Sequence, residues 1–386
     1  MSAHEIRAEA AGHDNNPVAH PTAGASQLAI AAATGLTWQE HRLSERERSM
    51  IEERALTTTA DPYRDPIAFR TATKHAWTLL DAPTRRAVRD VGRGTSARPE
   101  LYIVNLPEPQ DLPPTPTQSG TWERTTDNVF SEFIMVMFSH GLGLPISYRD
   151  QRNGTVFHDI FPTAANAMQI SSQSSGIILG HHTEMFFHPC PPDHLMLHCL
   201  RSDPDRLAQT FVAALPDIES RLPATTREIL RAPSFALDLA ELHGSYVHRG
   251  RPICTGDPRP VIPIVTDSSP VQFRFEPALT TPVGRAAADA LHAAEHAAHE
   301  AAVAGTLDAG GLLILDNRRA AHARSSFPAR FDGTDRWLRR MMLGRFGRAE
   351  DIAVIRSHDL ELVKPWIDLG VALETIPYRN ATKDEQ

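Results

Sequence analysis

Between Ile146 and Ala278 the chain sustains no long regular run; apolar stretches of a few residues are cut again and again by Pro, Gly and Asn. Short strands bounded by turn-forming residues produce this texture. Two later stretches, Gly311-Leu-Leu-Ile-Leu-Asp316 and Trp337 to Phe346, read as further strands. Helical signals sit at the flanks. Ser44 and Glu47 make a capping-box pattern, and Asp127 to His140 is an apolar helical run closed by Gly141 and Gly143. Two more helices are expected at about Asp203–Leu215 and Ile218–Arg231. Ala286–Val303, rich in Ala, His and Glu, suits a helix with its histidines on an exposed face. The stretch Leu106 to Gly120 carries five prolines and reads as a loop. Many short strands with helices outside them predict a mainly β fold with flanking helices and a double-stranded β-helix (jelly roll) core.

Residues 1–36, rich in Ala, Gly, Asn and Pro, read as a flexible N-terminal tail, and residues 37–386 as a single domain. Hydrophobic residues at 41% and charged residues at 22% are globular values. A formal charge of −8 argues against nucleic acid or an anionic membrane as partner. No apolar run reaches the length of a membrane span, and the N-terminus lacks the basic-then-apolar layout of a secretion signal. Three cysteines, Cys190, Cys199 and Cys254, form neither an even set nor a close pair, which fits reduced thiols in a cytoplasm. The oligomeric state is open.

Chemistry concentrates in Gly180-His-His-Thr-Glu-Met-Phe-Phe-His188, with His322 far along the chain. Divalent iron held on one face by two imidazoles and one carboxylate keeps its other positions open for ligands and oxygen. His182 and Glu184 are two residues apart, so on a strand or extended turn both point the same way. With 19 histidines present, such a pair also arises by chance. His322 follows an apolar strand and a polar turn, where a sheet presents side chains to a pocket; an ordinary hydrogen-bonded histidine is the alternative. His194 and His198, spaced i, i+4, would share a metal only on a helix, and the Leu-Met-Leu between them reads as a strand. Along Asp332-Gly-Thr-Asp-Arg-Trp-Leu-Arg-Arg-Met-Met342, alternation puts Arg336, Leu338 and Arg340 on one face and Trp337, Arg339 and Met341 on the other. Arg336 and Arg340 would lie about 13 Å apart. On an inward face each guanidinium needs an anion, which two carboxylate-bearing small molecules would supply; on an outward face both are surface charge.

His182-Thr-Glu184, Pro191-Pro-Asp-His-Leu-Met-Leu-His-Cys-Leu-Arg-Ser-Asp203, Asp316-Asn-Arg-Arg-Ala-Ala-His322-Ala-Arg-Ser-Ser-Phe327 and Arg330-Phe-Asp-Gly-Thr-Asp-Arg336-Trp-Leu-Arg-Arg340 keep a recognisable order and spacing. From about Tyr148 to Phe346 the chain resembles the clavaminate synthase-like Fe(II)/2-oxoglutarate-dependent oxygenases. Within them it is similar to the asparagine oxygenase and arginine 3-hydroxylase group of peptide-antibiotic pathways. The resemblance implies iron binding by His182, Glu184 and His322. It implies that Arg336, fourteen residues after the distal histidine, and Thr210, twenty-eight after the first, hold 2-oxoglutarate. Arg340 would take the α-carboxylate of an amino-acid substrate, and Gln151 matches the position near its ammonium. Fe(II), 2-oxoglutarate and O2 are then the cofactor and co-substrates. The implied reaction is hydroxylation of C3 or C4 of a free polar L-amino acid, in natural-product biosynthesis. Because Glu184 fills the carboxylate position, a halogenase is not expected. Desaturation or ring closure by the same kind of iron enzyme, a zinc hydrolase, and a non-catalytic jelly-roll binding protein are the competing readings.

Two departures from the family pattern stand out. Gly310-Gly311 replaces a Gly-Asp pair before the apolar strand, which loses a side chain without touching a ligand. Where the arginine hydroxylase carries two acidic residues for the guanidinium, Val271-Gln-Phe-Arg-Phe-Glu276 offers Arg274 and Glu276. Strand alternation puts these two on one face, opposite Phe273 and Phe275. Such a pair suits a neutral ureido end, making citrulline the first candidate and arginine the second; a structural ion pair is the alternative.

Overall fold

A computed structural model of the chain describes residues 37–109, 111–118, 129–147, 155–187, 191–237, 247–248, 251–252, 261–268 and 270–345. The expected tail and Gln151 lie outside the described residues. The apolar run Leu312–Asp316 forms strand β16, and its alternation decides the layering. Leu312 and Ile314 join a core shared with helices α1 (Glu45–Thr57), α2 (Pro66–Leu79), α3 (Ala82–Arg93) and α4 (Phe130–Ser139). Leu313 and Leu315 belong to a second core on the other face. A strand covered on both faces reads as a continuous apolar run for this reason.

β16 lies inside a seven-stranded sheet of order β1 (Glu40–Arg42), β2 (Glu100–Val104), β16, β6 (His194–Arg201), β18 (Trp337–Gly344) and β3 (Leu144–Ile146), with β4 (Phe157–Ile160) also paired to β18. The second sheet runs β15 (Val303–Thr306), β7 (Gln209–Ala214), β17 (Ala320–Arg324), β5 (Leu179–His182), antiparallel throughout. Its outer face presents Ala213 and Ala321 to the alanine face of α7 (Arg285–Ala301), where small side chains let the helix approach. Its inner face adds Val212 and Ala320 to the core that holds Leu313 and Leu315. The two sheets therefore face each other across one core, with helices outside both, and the turn after Asp316 carries the chain from one sheet to the other. Short strands form three further ladders: β8 (Phe235–Leu237) between β11 (Val261–Ile262) and β14 (Thr280–Pro282), β9 (Val247–His248) with β10 (Arg251–Pro252), and β12 (Val265–Thr266) with β13 (Gln272–Phe273). No described helix is long and apolar enough to cross a membrane.

The jelly-roll expectation holds, as does the capping box, with Ser44 and Glu47 each bonding the other's backbone. Three local expectations do not. The helix expected at Asp203–Leu215 is instead strand β7, and helix begins only at α5 (Leu215–Glu219). Thr210, Phe211 and Val212 suit a pleated surface, and β15 and β17 satisfy the backbone of β7 on both sides. The helix expected at Ile218–Arg231 is broken by Pro223, which stands at the N-cap of α6 (Ala224–Arg231). The histidines of α7 are not all exposed: His299 is half-buried and packs edge-on against His181, ring centroids 4.9 Å apart. The departure at Gly311 has a packing reason. A Cβ there would stand 2.1 Å from the Tyr102 hydroxyl, which itself accepts the Asp308 N–H.

Candidate active site

Strands β5 and β17 pair so that His182 and His322 are direct Cα partners. Residues opposed on an antiparallel ladder project to the same side, and here the two rings lie with centroids 4.2 Å apart. β5 ends at His182, and Glu184 follows in a turn where Met185 takes a φ of 52°. Asn317, from the turn joining the two sheets, fixes this segment. Its Oδ1 accepts the Glu184 N–H at 2.7 Å, and its Nδ2 donates to the carbonyls of Glu184 at 3.1 Å and Pro192 at 2.9 Å. One ligand atom from each of His182, Glu184 and His322 consequently lies within 4.8 Å of the other two, the one such group of His, Cys, Asp and Glu among the described residues.

His182 Nδ1–H donates to the Gly180 carbonyl at 2.9 Å, which leaves the Nε2 lone pair available. Burial holds both imidazoles below their ordinary range, His322 well below it with His182 and Arg340 adding repulsion. Neutral imidazole is the form that binds a metal. His194 and His198 are buried on the other face of the major sheet, bonded to Arg318 and to Ser131, and take no part in the cluster.

On β18 the alternation is the one the sequence predicts. Arg339 faces the helices and pairs with Glu132 at 2.8 Å and Asp159 at 2.9 Å. Arg340 faces inward, donating from Nη1 to both Glu184 oxygens at 2.9 Å and from Nη2 to His158 Nδ1 at 2.8 Å. His158 Nε2–H in turn donates to the Thr155 carbonyl at 2.6 Å. Arg340 is thereby fixed beside the triad's carboxylate. Arg336 precedes the strand and is buried; its Nε has no acceptor among the described residues, and its guanidinium carbon sits 5.2 Å from the Phe327 ring centroid. Thr210 is buried and stands opposite Arg324 on the β7–β17 ladder.

A cross-chain splice brings the segment 272–276 to the triad. The Thr183 N–H donates to the Phe275 carbonyl at 2.7 Å, and the Phe275 N–H donates to Thr183 Oγ1 at 3.0 Å. Phe273 and Phe275 stack at 5.1 Å within the α7 core. Glu276 is buried, and burial pushes its carboxyl up to about 8, with Glu295 and Glu184 repelling its charge. Arg274 donates to the Phe186 carbonyl at 2.9 Å. Asn317, His158 and Arg324 are contributors that spacing along the chain did not single out. Asn317 and Arg324 stand inside the segment Asp316–Phe327, yet only their contacts across the fold reveal them.

Residues 125–342 match the model of the family described as Taurine catabolism dioxygenase TauD, TfdA family. The chain belongs to the TauD/TfdA dioxygenases. This dioxygenase is 30% identical over 319 residues to the L-asparagine oxygenase of Streptomyces coelicolor, spanning 81% of this chain and 92% of that protein. It is 29% identical over 348 residues to the L-lysine 3-hydroxylase of Catenulispora acidiphila, spanning 89% of this chain and 93% of that protein. The structure of non-heme iron oxygenase OrfP with Fe and alpha-ketoglutaric acid superposes with a TM-score of 0.68 at 26% identity, covering 79% of this chain and 94% of that one. OrfP has also been solved with Fe, succinate and (3S)-hydroxy-L-Arg. Like its family, the dioxygenase uses Fe(II), 2-oxoglutarate and O2. Its residues fit that requirement. Two neutral imidazoles and a carboxylate lie within the span of one ion, and a buried guanidinium with an unsatisfied N–H suits an anionic co-substrate.

Proposed function

We propose that this enzyme hydroxylates C3 or C4 of a free L-amino acid whose side chain ends in a ureido or guanidino group, citrulline first and arginine second. The observation that carries this reading is Glu276, a buried carboxyl beside Glu184 that burial pushes up to about 8. A carboxyl that is mostly neutral near pH 7 donates to a ureido oxygen as well as accepting from its N–H groups. A guanidinium would instead draw Glu276 into its charged form while meeting the like charge of Arg274. A free amino acid is also the substrate class in the names of the asparagine and lysine relatives, and OrfP is solved with a hydroxylated arginine.

In this reading His182, Glu184 and His322 hold the iron, and Arg336 and Thr210 hold the distal carboxylate of 2-oxoglutarate. Arg340 takes the substrate α-carboxylate, Gln151 lies near its ammonium, and Arg274 with Glu276 receive the side-chain end. Bound iron, with 2-oxoglutarate and O2, supplies the oxidising power that breaks an unactivated C–H bond. The chain itself supplies orientation. Holding an amino acid at both ends fixes which carbon is presented, and the apolar core containing Met185, Leu197 and Leu338 keeps the surroundings dry. Free L-amino acids incubated with enzyme, Fe(II), 2-oxoglutarate and O2, and scored by succinate release and product mass, test the reading. One oxygen added to citrulline or arginine is expected, and turnover of neither overturns it.

A further inference from the structure

The inner face of β17 carries Ala320, His322 and Arg324, while Ala321 and Ala323 belong to cores on its outer face. On the neighbouring strand, Val212 stands opposite His322 and Thr210 opposite Arg324. Arg324 therefore shares a face and a ladder position with Thr210, two residues along the strand from a histidine of the triad. Its guanidinium is buried and anchored. Nη1 donates to the Ser174 carbonyl, and Nη2 donates to Ser174 Oγ at 3.0 Å and to the Ile177 carbonyl at 2.9 Å. Its Nε is buried and finds no acceptor among the described residues, as is the case for Arg336. Each guanidinium carbon lies 5.2 Å from the centroid of one ring, that of Phe327.

Two buried cations thus share one compartment, and neither forms an ion pair among the described residues. Both side chains are about 5% exposed and meet at the same phenyl ring, so their like charges repel at short range. The acids acting on Arg336 are the Cys199 thiol, which burial keeps protonated, and Asp203, whose Oδ2 already accepts the N–H groups of Leu207 and Ala208. Buried guanidiniums without a counterion are costly unless an anion arrives. A carboxylate facing Arg336 alone leaves the second cation unexplained. The geometry points to Arg324 as a second cationic determinant of the co-substrate: with Arg336 and Thr210 it makes the site select a 2-oxo acid with a charged distal end over one with a neutral end. This rests on the assignment of the distal carboxylate to Arg336. Ser174 and Ile177 hold the Arg324 guanidinium in one orientation, so its charge is applied at a fixed place.

The test is equilibrium binding to the full-length, Zn(II)-loaded protein, followed by ligand-observed NMR with 2-oxoglutarate and with 2-oxopentanoate, which has a methyl group in place of the distal carboxylate. Arg324→Met should weaken 2-oxoglutarate by about 10-fold or more, the scale of a lost hydrogen bond to a charged group, and leave 2-oxopentanoate within about 2-fold. Arg324→Lys, which keeps the charge, should restore part of the preference. Equal weakening of both acids in Arg324→Met would mean that the residue only ties down the 174–177 segment, and overturns the proposal. So does unchanged 2-oxoglutarate binding in Arg324→Met alongside a loss in Arg336→Met. Unchanged binding in both variants overturns the Arg336 assignment as well.

Discussion

Glu276 shows how one buried side chain ties specificity to stability. Its folded value of about 8 stands above the ordinary 4.5, so between those values the folded protein holds more protons than the unfolded chain. Stability contributed by the protonated form is present below the lower value and is lost as pH rises through the upper one. Glu276→Gln removes the ionisation, and should raise the Tm of the metal-free protein more at pH 8 than at pH 5. Scanning calorimetry reads this directly, and a gain that does not grow with pH contradicts the dry setting of Glu276. Residues of this kind differ in how far the chain discloses them. His182, Glu184, His322 and Arg336 are legible through the order and intervals that carry the family resemblance, and the first three do meet in space. Asn317 is not, since its purpose is to clamp a backbone 133 residues away. Alternation places Arg340 on the face opposite Arg339 but leaves open which face turns inward, and its bond to Glu184 arises only when β18 and the β5 turn meet.

At the scale of elements, β18 does two tasks on its two faces. Inward it carries Arg340 to the triad; outward it carries Arg339 between Glu132 of α4 and Asp159 of β4, with the Trp337 indole N–H also donating to Asp159 at 3.0 Å. Burial works against the Arg339 charge, yet Asp159 and Glu132 raise its pKa above the ordinary arginine value. Removing the cation takes the Arg339 counter-charge from two carboxylates in the sheet–helix layer, leaving the Tyr63 hydroxyl on Glu132 and the Trp337 N–H on Asp159. Arg339→Met should cost about 3–5 kcal/mol, the range for breaking a buried ion pair from one side, measured by urea denaturation; a loss under about 1 kcal/mol, the worth of a surface pair, contradicts the network's importance. β7 marks the limit of local reading. Asp203 to Leu215 contains Leu207, Ala208, Ala213 and Ala214, which favour helix, and only the strands on either side make it a sheet centre.

Across the whole molecule the jelly roll was legible because short strands separated by turn residues leave few other ways to cover both faces of apolar runs such as Leu312–Leu315. Strand order was not, since β6 lies between β16 and β18, more than a hundred residues later in the chain. What the fold achieves is convergence. Residues from β5 and the turn after it, β17, the turn between the sheets and the middle of β18 converge, and that convergence brings scattered motifs together as a candidate metal site. The central claim is that His182 and His322 complete this site with Glu184. Anaerobic titration of the protein with Fe(II) and 2-oxoglutarate, followed by visible absorption, tests it most directly. A weak charge-transfer band should form in the wild type and be lost in both His182→Ala and His322→Ala, whereas a band that persists in both variants contradicts the account.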